Sequence, residues 1–253
     1  MSKLDNAKGL YLEGIRDGNA HEALARYTGA RYTQHSTGVP DGKEGFLAFF
    51  EPFLERNPVR DIQIVRGLQD GNHVWLQAYQ DLNNGQSRWV TGDLFDTDDQ
   101  DRMIEHWDSI QAFEPDSVSG RSMVDGPTDI EDLEHTDANK ELVRRFTRAV
   151  LTEADHHQAG SFLAVDLHQH NPQIADGLDA YLDYLRRHDV RYTEVHHLIG
   201  QGNFVVTYAR KVIDGQDHAT FDLYRIADGI IVEHWDVEEK ILPESEWGNR
   251  GKF

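Results

Sequence analysis

Apolar residues return at helical spacing at the start of the chain. Leu4, Ala7, Leu10, Tyr11 and Ile15 predict a helix over 4–15, and a shorter one follows around Glu22–Tyr27. Asp41-Gly-Lys-Glu44 then precedes Phe46, Leu47, Phe49 and Phe50, an acidic cap opening an amphipathic helix. Beyond it the period changes. Asp61–Val65, His73–Tyr79, Ser87–Phe95 and Met103–Gln111 are β-branched or aromatic and partly alternating, and Asp-Gly-Asn and Asn-Asn-Gly turns separate them.

The same order returns in the second half. Leu142, Phe146, Ala149 and Val150 repeat the first helix, and Asp176-Gly-Leu-Asp179 before Tyr181, Leu182 and Leu185 repeats the capped one. Thr193–Ile199, Asn203–Val212, His218–Ile226 and Ile230–Lys240 repeat the strands, with Asp214-Gly215 and Asp228-Gly229 as hairpin turns. Four blocks align in order. Gln34-His35 matches Gln169-His170, Asp70–Val74 matches Gln201–Val205, Asp93-Leu-Phe95 matches Asp222-Leu-Tyr224, and Glu105-His-Trp-Asp108 returns unchanged as Glu233-His-Trp-Asp236. This is an internal duplication. The expected organisation is one copy over 1–113, a Ser-, Gly-, Pro- and acid-rich linker over 114–137, and a second copy over 138–253. Helices first and strands afterwards predict an α+β fold in each copy, with helices on one face of an antiparallel sheet.

Composition narrows the function. The chain has 253 residues, no cysteine, and 45 Asp+Glu against 25 Lys+Arg, a net charge of -20. Such a field repels phosphate backbones and anionic lipid, so neither nucleic acid nor membrane is an expected partner. No apolar run approaches the ~20 residues of a spanning helix, and the first residues lack the apolar core of a secretion signal. A cytoplasmic location is the expectation. GxSxG, GxxxxGK[ST] and GxGxxG are all missing, which removes the usual signatures of acyl transfer, NTP use and dinucleotide binding.

The repeated tetrapeptides carry the candidate chemistry. On a strand, His106 and Asp108 share one face and Glu105 and Trp107 the other; His234/Asp236 and Glu233/Trp235 divide the same way. A His and a carboxylate turned into an apolar cavity can work as acid and base. The same residues also suit a polar surface or interface pair with Trp as the buried anchor. His35 and His170 lie on the route from helix layer to sheet, as substrate-facing groups or as structural caps. Asp93 and Asp222 sit mid-strand between apolar neighbours and need a partner, solvent or a cavity. Of the 14 histidines, the dense spots at 156–157, 168–170 and 196–197 form no HExxH helix and no facial triad, so no metal is expected.

The segments Tyr32-Thr-Gln-His35, Val39-Pro-Asp-Gly-Lys-Glu-Gly-Phe46 and Phe221–Asp236 resemble the SnoaL-like polyketide cyclase family of the NTF2-like superfamily. Gln169-His-Asn-Pro172 is the closer form of one motif, and the first copy departs from it with Gln34-His-Ser-Thr37. The resemblance implies a cone of curved antiparallel sheet closed by helices around a pocket. It implies cofactor-free acid/base chemistry, an aldol-type cyclisation or isomerisation of a small hydrophobic, carbonyl-containing or polyketide-like substrate. By position Asp108 and Asp236 become the acid/base, His35 and His170 pocket partners, and His106 and His234 relays. Asp93, Asp222, Gln34 and Gln169 would contact substrate. A non-catalytic binding protein of the same fold is the alternative. An epoxide hydrolase would need an Asp/Arg/Asp cluster that these motifs do not supply. The resemblance also implies an internal pseudo-dimer through the Trp107/Trp235 face, or a further homo-oligomer. The missing Asn-Pro marks the first copy as the divergent one.

Overall fold

The computed structural model describes every residue, 1–253, in two compact units. Unit 1 comprises Met1–Ala112 together with Leu242–Phe253, and unit 2 comprises Phe113–Ile241.

In unit 1, helix α1 (Lys3–Gly9) runs into a wider π-helical stretch (Leu10–Arg16), followed by α2 (Ala20–Tyr27) and strand β1 (Thr28–Gln34). Helix α3 (Gly42–Arg56) and strands β2 (Arg60–Asp70), β3 (His73–Leu82), β4 (Ser87–Thr97) and β5 (Met103–Ala112) complete it. As the acidic start of α3 predicts, Asp41 caps it, accepting from Gly42 N at 2.9 Å. The same oxygen accepts from Gln34 N at 2.8 Å, which ties the helix start to the end of β1. Ala7, Leu10, Tyr11 and Ile15 are buried together with Val74, Leu76 and Ala78 of β3. The 3.6-residue stripe of the first helix thus meets the period-two face of the sheet.

Unit 2 repeats the plan with α4 (Thr136–Phe146), a π-helical stretch (Thr147–Thr152), a 3₁₀ stretch (His156–Ser161), β6 (Leu163–Gln169) and α5 (Leu178–Arg187). Strands β7 (Arg191–Gln201), β8 (Phe204–Ile213), β9 (Gln216–Ala227) and β10 (Ile230–Lys240) follow. Here one sequence expectation fails. Gly177, at φ 105°, is the residue before α5, and Asp176 does not cap it. Asp176 keeps only the other half of the role of Asp41, accepting from Gln169 N at 2.9 Å.

The sheets run β1-β5-β4-β3-β2 and β6-β10-β9-β8-β7. Four strands of each form an antiparallel meander, but β1 and β6 join β5 and β10 in parallel, so each sheet is mixed rather than purely antiparallel. Their partners lie some 70 residues later in the chain, and a parallel pair needs such a long crossover. Both hairpin turns form as expected, with positive φ at Asp214, Gly215, Asp228 and Gly229.

The segments after β5 and β10 are packed rather than loose. Segment 114–137, which composition marks as a linker, belongs to unit 2, and 242–253, expected as the end of the second copy, belongs to unit 1. They occupy equivalent places. Val118 N donates to Pro172 O and Gly248 N to Thr37 O. Ser122 O faces His170 Nδ1 at 2.7 Å and Gly251 O faces His35 Nδ1 at 2.9 Å. The closing contacts go mostly to backbone carbonyls, which any sequence supplies, so composition does not show them.

Candidate acid/base site in unit 1

Alternation along β5 turns His106 and Asp108 to the helix-covered face and Glu105 and Trp107 to the other. Register then sets the chemistry. Asp93 on β4 pairs with Asp108 on β5, which places two buried carboxylates side by side on one face. Gln34, the last residue of β1, lies opposite His106. The four line one end of a cavity of about 270 Å³ with Ser36, Thr91, Tyr11 and Gln80. Mostly apolar side chains form the rest of the wall, among them Leu10, Ile15 and Val39 and, from α3, Phe46, Phe49, Phe50 and Phe53. Those phenylalanines recur at i, i+3, i+4 and i+7, the spacing of one helix face.

Hydrogen bonding fixes where protons sit. Gln34 Oε1 accepts from Ser36 N at 3.0 Å, which places the amide oxygen. His106 Nδ1 lies 2.8 Å from the same oxygen and therefore carries a proton. Its other nitrogen, Nε2, is 3.0 Å from Asp93 Oδ1. A second chain reaches Asp93 from the opposite side. Gln80 Nε2 donates to Tyr11 Oη at 2.7 Å, Tyr11 and Thr91 hydroxyls lie 2.8 Å apart, and Thr91 Oγ1 donates to Asp93 Oδ2 at 2.6 Å. Burial pushes the Asp93 carboxyl above its ordinary value, against the His106 and Thr91 bonds and with help from the Asp108 charge. At Asp108 burial pulls the same way, but the Lys252 ammonium, His106 and Ser36 outweigh it and hold that carboxyl low. Lys252 Nζ lies 2.8 Å from Asp108 Oδ1 and also donates to its carbonyl at 3.2 Å. Burial, and then the Asp93 charge, push the Tyr11 and Tyr32 phenols well up, so both stay protonated.

Two of the sequence-predicted residues do not join this group. His35 lies on the other face. It stacks on Trp107 with ring centres 4.9 Å apart, and its Nε2 meets Glu105 Oε1 at 2.9 Å. His170 does the same with Trp235 at 4.4 Å and Glu233 at 2.8 Å. Each directly follows Gln34 or Gln169 on an extended chain, and alternation sends neighbours to opposite sides. The expected turn of His35 and His170 toward the motif aspartates is corrected: the glutamines before them face His106 and His234 instead, and Gln34 lines the cavity.

Unit 2 repeats the framework with a more polar filling. Asp222 pairs with Asp236 in register. Gln169 Oε1 lies 2.9 Å from His234 Nδ1, and His234 Nε2 is 3.2 Å from Asp222 Oδ1. Tyr192 donates to Asp222 at 2.8 Å, and Asn171 Nδ2 reaches both Asp236 oxygens at 3.1 and 2.8 Å. Lys211 Nζ pairs with Glu238 and lies 3.8 Å from Asp236 Oδ2. The side chains at the motif's third position both reach the aspartate: Asn171 bonds Asp236 through both oxygens, and the shorter Ser36 bonds Asp108 while also lining the cavity.

Either Asp–His–Asp set brings one ligand atom per residue within 4.8 Å of the others, a spacing that a cation could bridge. In both, a lysine ammonium already stands against the last aspartate. That local positive charge disfavours a divalent ion. No helix is long and apolar enough to cross a membrane.

No family model matches the chain, and no curated protein matches it. Solved NTF2-like structures do resemble it. An NTF2-like protein of unknown function from Cytophaga hutchinsonii is 19% identical over 45% of this chain and 95% of that one, with a TM-score of 0.36. IdmH from Streptomyces antibioticus, a candidate polyketide cyclase, is 18% identical over 44% and 93%, with a TM-score of 0.38. An LEH-like epoxide hydrolase from M. tuberculosis is 20% identical over 42% and 85%, with a TM-score of 0.36. Each match spans less than half of this chain.

Sequence reasoning missed Lys252 altogether. A lysine in a Gly-rich, polar stretch reads as solvated, and only its burial beside Asp108 reveals it. Tyr11 is legible in the sequence only as an apolar position of the first helix, and Thr91 only as part of a strand.

Proposed function

We propose that unit 1 is a cofactor-independent acid/base enzyme of SnoaL-like type. Its substrate class is a small, largely apolar carbonyl or polyketide-like compound, and its reaction an aldol-type cyclisation or isomerisation. The observation that carries this reading is the Asp93–His106 pair, a raised carboxyl 3.0 Å from an oriented imidazole at the polar end of an apolar cavity. The pair takes a proton from the carbon beside a carbonyl, leaving an enolate. It returns that proton to the alkoxide or carbon formed next, so no external acid is consumed. Asp108 stays a fixed anion, and the phenylalanine wall excludes water from the enolate.

Deuterium uptake tests this without knowledge of the natural substrate. A panel of aromatic ketones and β-dicarbonyl compounds is incubated with the protein in heavy water and followed by proton NMR. Exchange beside the carbonyl is expected for members that fit the cavity, with a loss of about 10²-fold or more in Asp93→Asn. Saturable binding of such compounds without exchange would instead make the pocket a non-catalytic carrier.

A further inference from the structure

A buried lysine stands beside the last-strand aspartate of each unit, and the two lysines come from different places. In unit 1 it is Lys252, in the closing segment; in unit 2 it is Lys211, on β8. Sheet register relates Lys211 to Gln80. They lie opposite His218 and Trp89, each four residues before the aspartate Asp222 or Asp93. The closing segments relate Lys252 to Met123. Each follows the residue whose carbonyl faces the motif histidine, and each is 1% exposed. Unit 1 therefore holds Gln80 and Lys252 where unit 2 holds Lys211 and Met123. Where one unit has the lysine, the other has a neutral side chain.

Two carboxylates side by side in a buried sheet need a counter-charge; unit 1 places Lys252 on Asp108, and unit 2 shares Lys211 between Asp236 and the neighbouring Glu238. We propose that Lys252 is a positioning residue of the unit 1 site: as the resident counter-ion it keeps Asp108 a carboxylate and leaves the mobile proton to Asp93 and His106. The role rests on the acid/base reading above. The groups facing Asp108 are Lys252, His106, Asp93, Tyr11, Tyr32 and Ser36, and only Lys252 among them is a permanent cation. The closing segment holds it by Gly251 O at His35 and by Asn249 Nδ2, which donates to Val39 O at 2.9 Å.

The test compares the full-length protein with Lys252→Met and with Lys252→Met/Gln80→Lys, which gives unit 1 the unit 2 arrangement. Carbon-13 NMR of labelled aspartate carboxyls follows the Asp108 titration, and thermal melting checks the fold. Lys252→Met is expected to move the Asp108 midpoint up by about one pH unit or more, and the added Gln80→Lys to bring most of it back. An unmoved midpoint in a folded Lys252→Met protein overturns the proposal, as does a shift that the transplanted lysine leaves in place. If Lys252→Met does not fold, adding Asp108→Asn should restore folding, because the stranded charge is then gone; failure to restore it also overturns the proposal. The titration needs no turnover. A shift that behaves as expected in a protein inactive on every carbonyl compound removes the enzymatic reading and leaves the counter-ion standing.

Discussion

A glutamine oxygen placed by a backbone N–H decides the tautomer of His106, and burial decides the state of the Asp93 carboxyl that the ring faces. With Nδ1 protonated toward Gln34, only Nε2 can exchange a proton with Asp93 Oδ1. The raised Asp93 carboxyl has a thermodynamic consequence. Its folded value lies above the unfolded one, so the stability it contributes is present in acid and is lost as pH rises through the folded value. Asp93→Asn should therefore stabilise the protein at neutral pH, by about 1.4 kcal/mol for each unit of displacement, and gain little under acid conditions. Chemical denaturation at the two pH values reads the difference. An equal effect at both would remove the buried-carboxyl argument. Asp93, His106 and Gln34 were all legible as candidates from the duplication. Which aspartate would be raised was not, because the answer depends on Lys252, far away in the chain.

Among the elements, the four antiparallel strands of each copy and the capped α3 were readable from period and turn dipeptides. β1 and β6 were not. Thr28-Gly-Ala-Arg-Tyr-Thr-Gln34 exposes Ala30 and Arg31 and shows no alternation, and its partner strand is remote. The packing of the segments after β5 and β10 was hidden for a related reason: polar and glycine-rich composition does not show contacts made through the backbone. Gly251 shows how specific such a segment is. Its φ of 105° suits glycine, and an added Cβ would come within 2.5 Å of the Trp247 ring. Gly251→Ala is expected to cost about 1–3 kcal/mol and to speed hydrogen exchange across 242–253. Unchanged exchange would mean that the segment tolerates another path, and that His35 and Lys252 do not depend on it.

At the scale of the whole chain, one duplicated plan supports two different interiors. Unit 1 keeps an aromatic-walled cavity above its Gln–His–Asp relay, although its motif is the one that departs from Gln-His-Asn-Pro. Unit 2 keeps that motif and surrounds its relay with Tyr192, Asn171, Lys211 and Glu238. The proposed chemistry on apolar carbonyl compounds therefore belongs to unit 1 alone, and Asp222→Asn should leave deuterium exchange within about twofold of the parent while Asp93→Asn lowers it by about 10²-fold or more. Comparable losses in both would place the chemistry in both units. The most direct measurement concerns the single proton between Asp93 and His106. Long-range nitrogen-15/proton NMR on histidine-labelled protein distinguishes the ring nitrogens. His106 is predicted to carry a proton on Nδ1 at neutral pH; a ring protonated on Nε2 alone would contradict the relay and the acid/base site built on it.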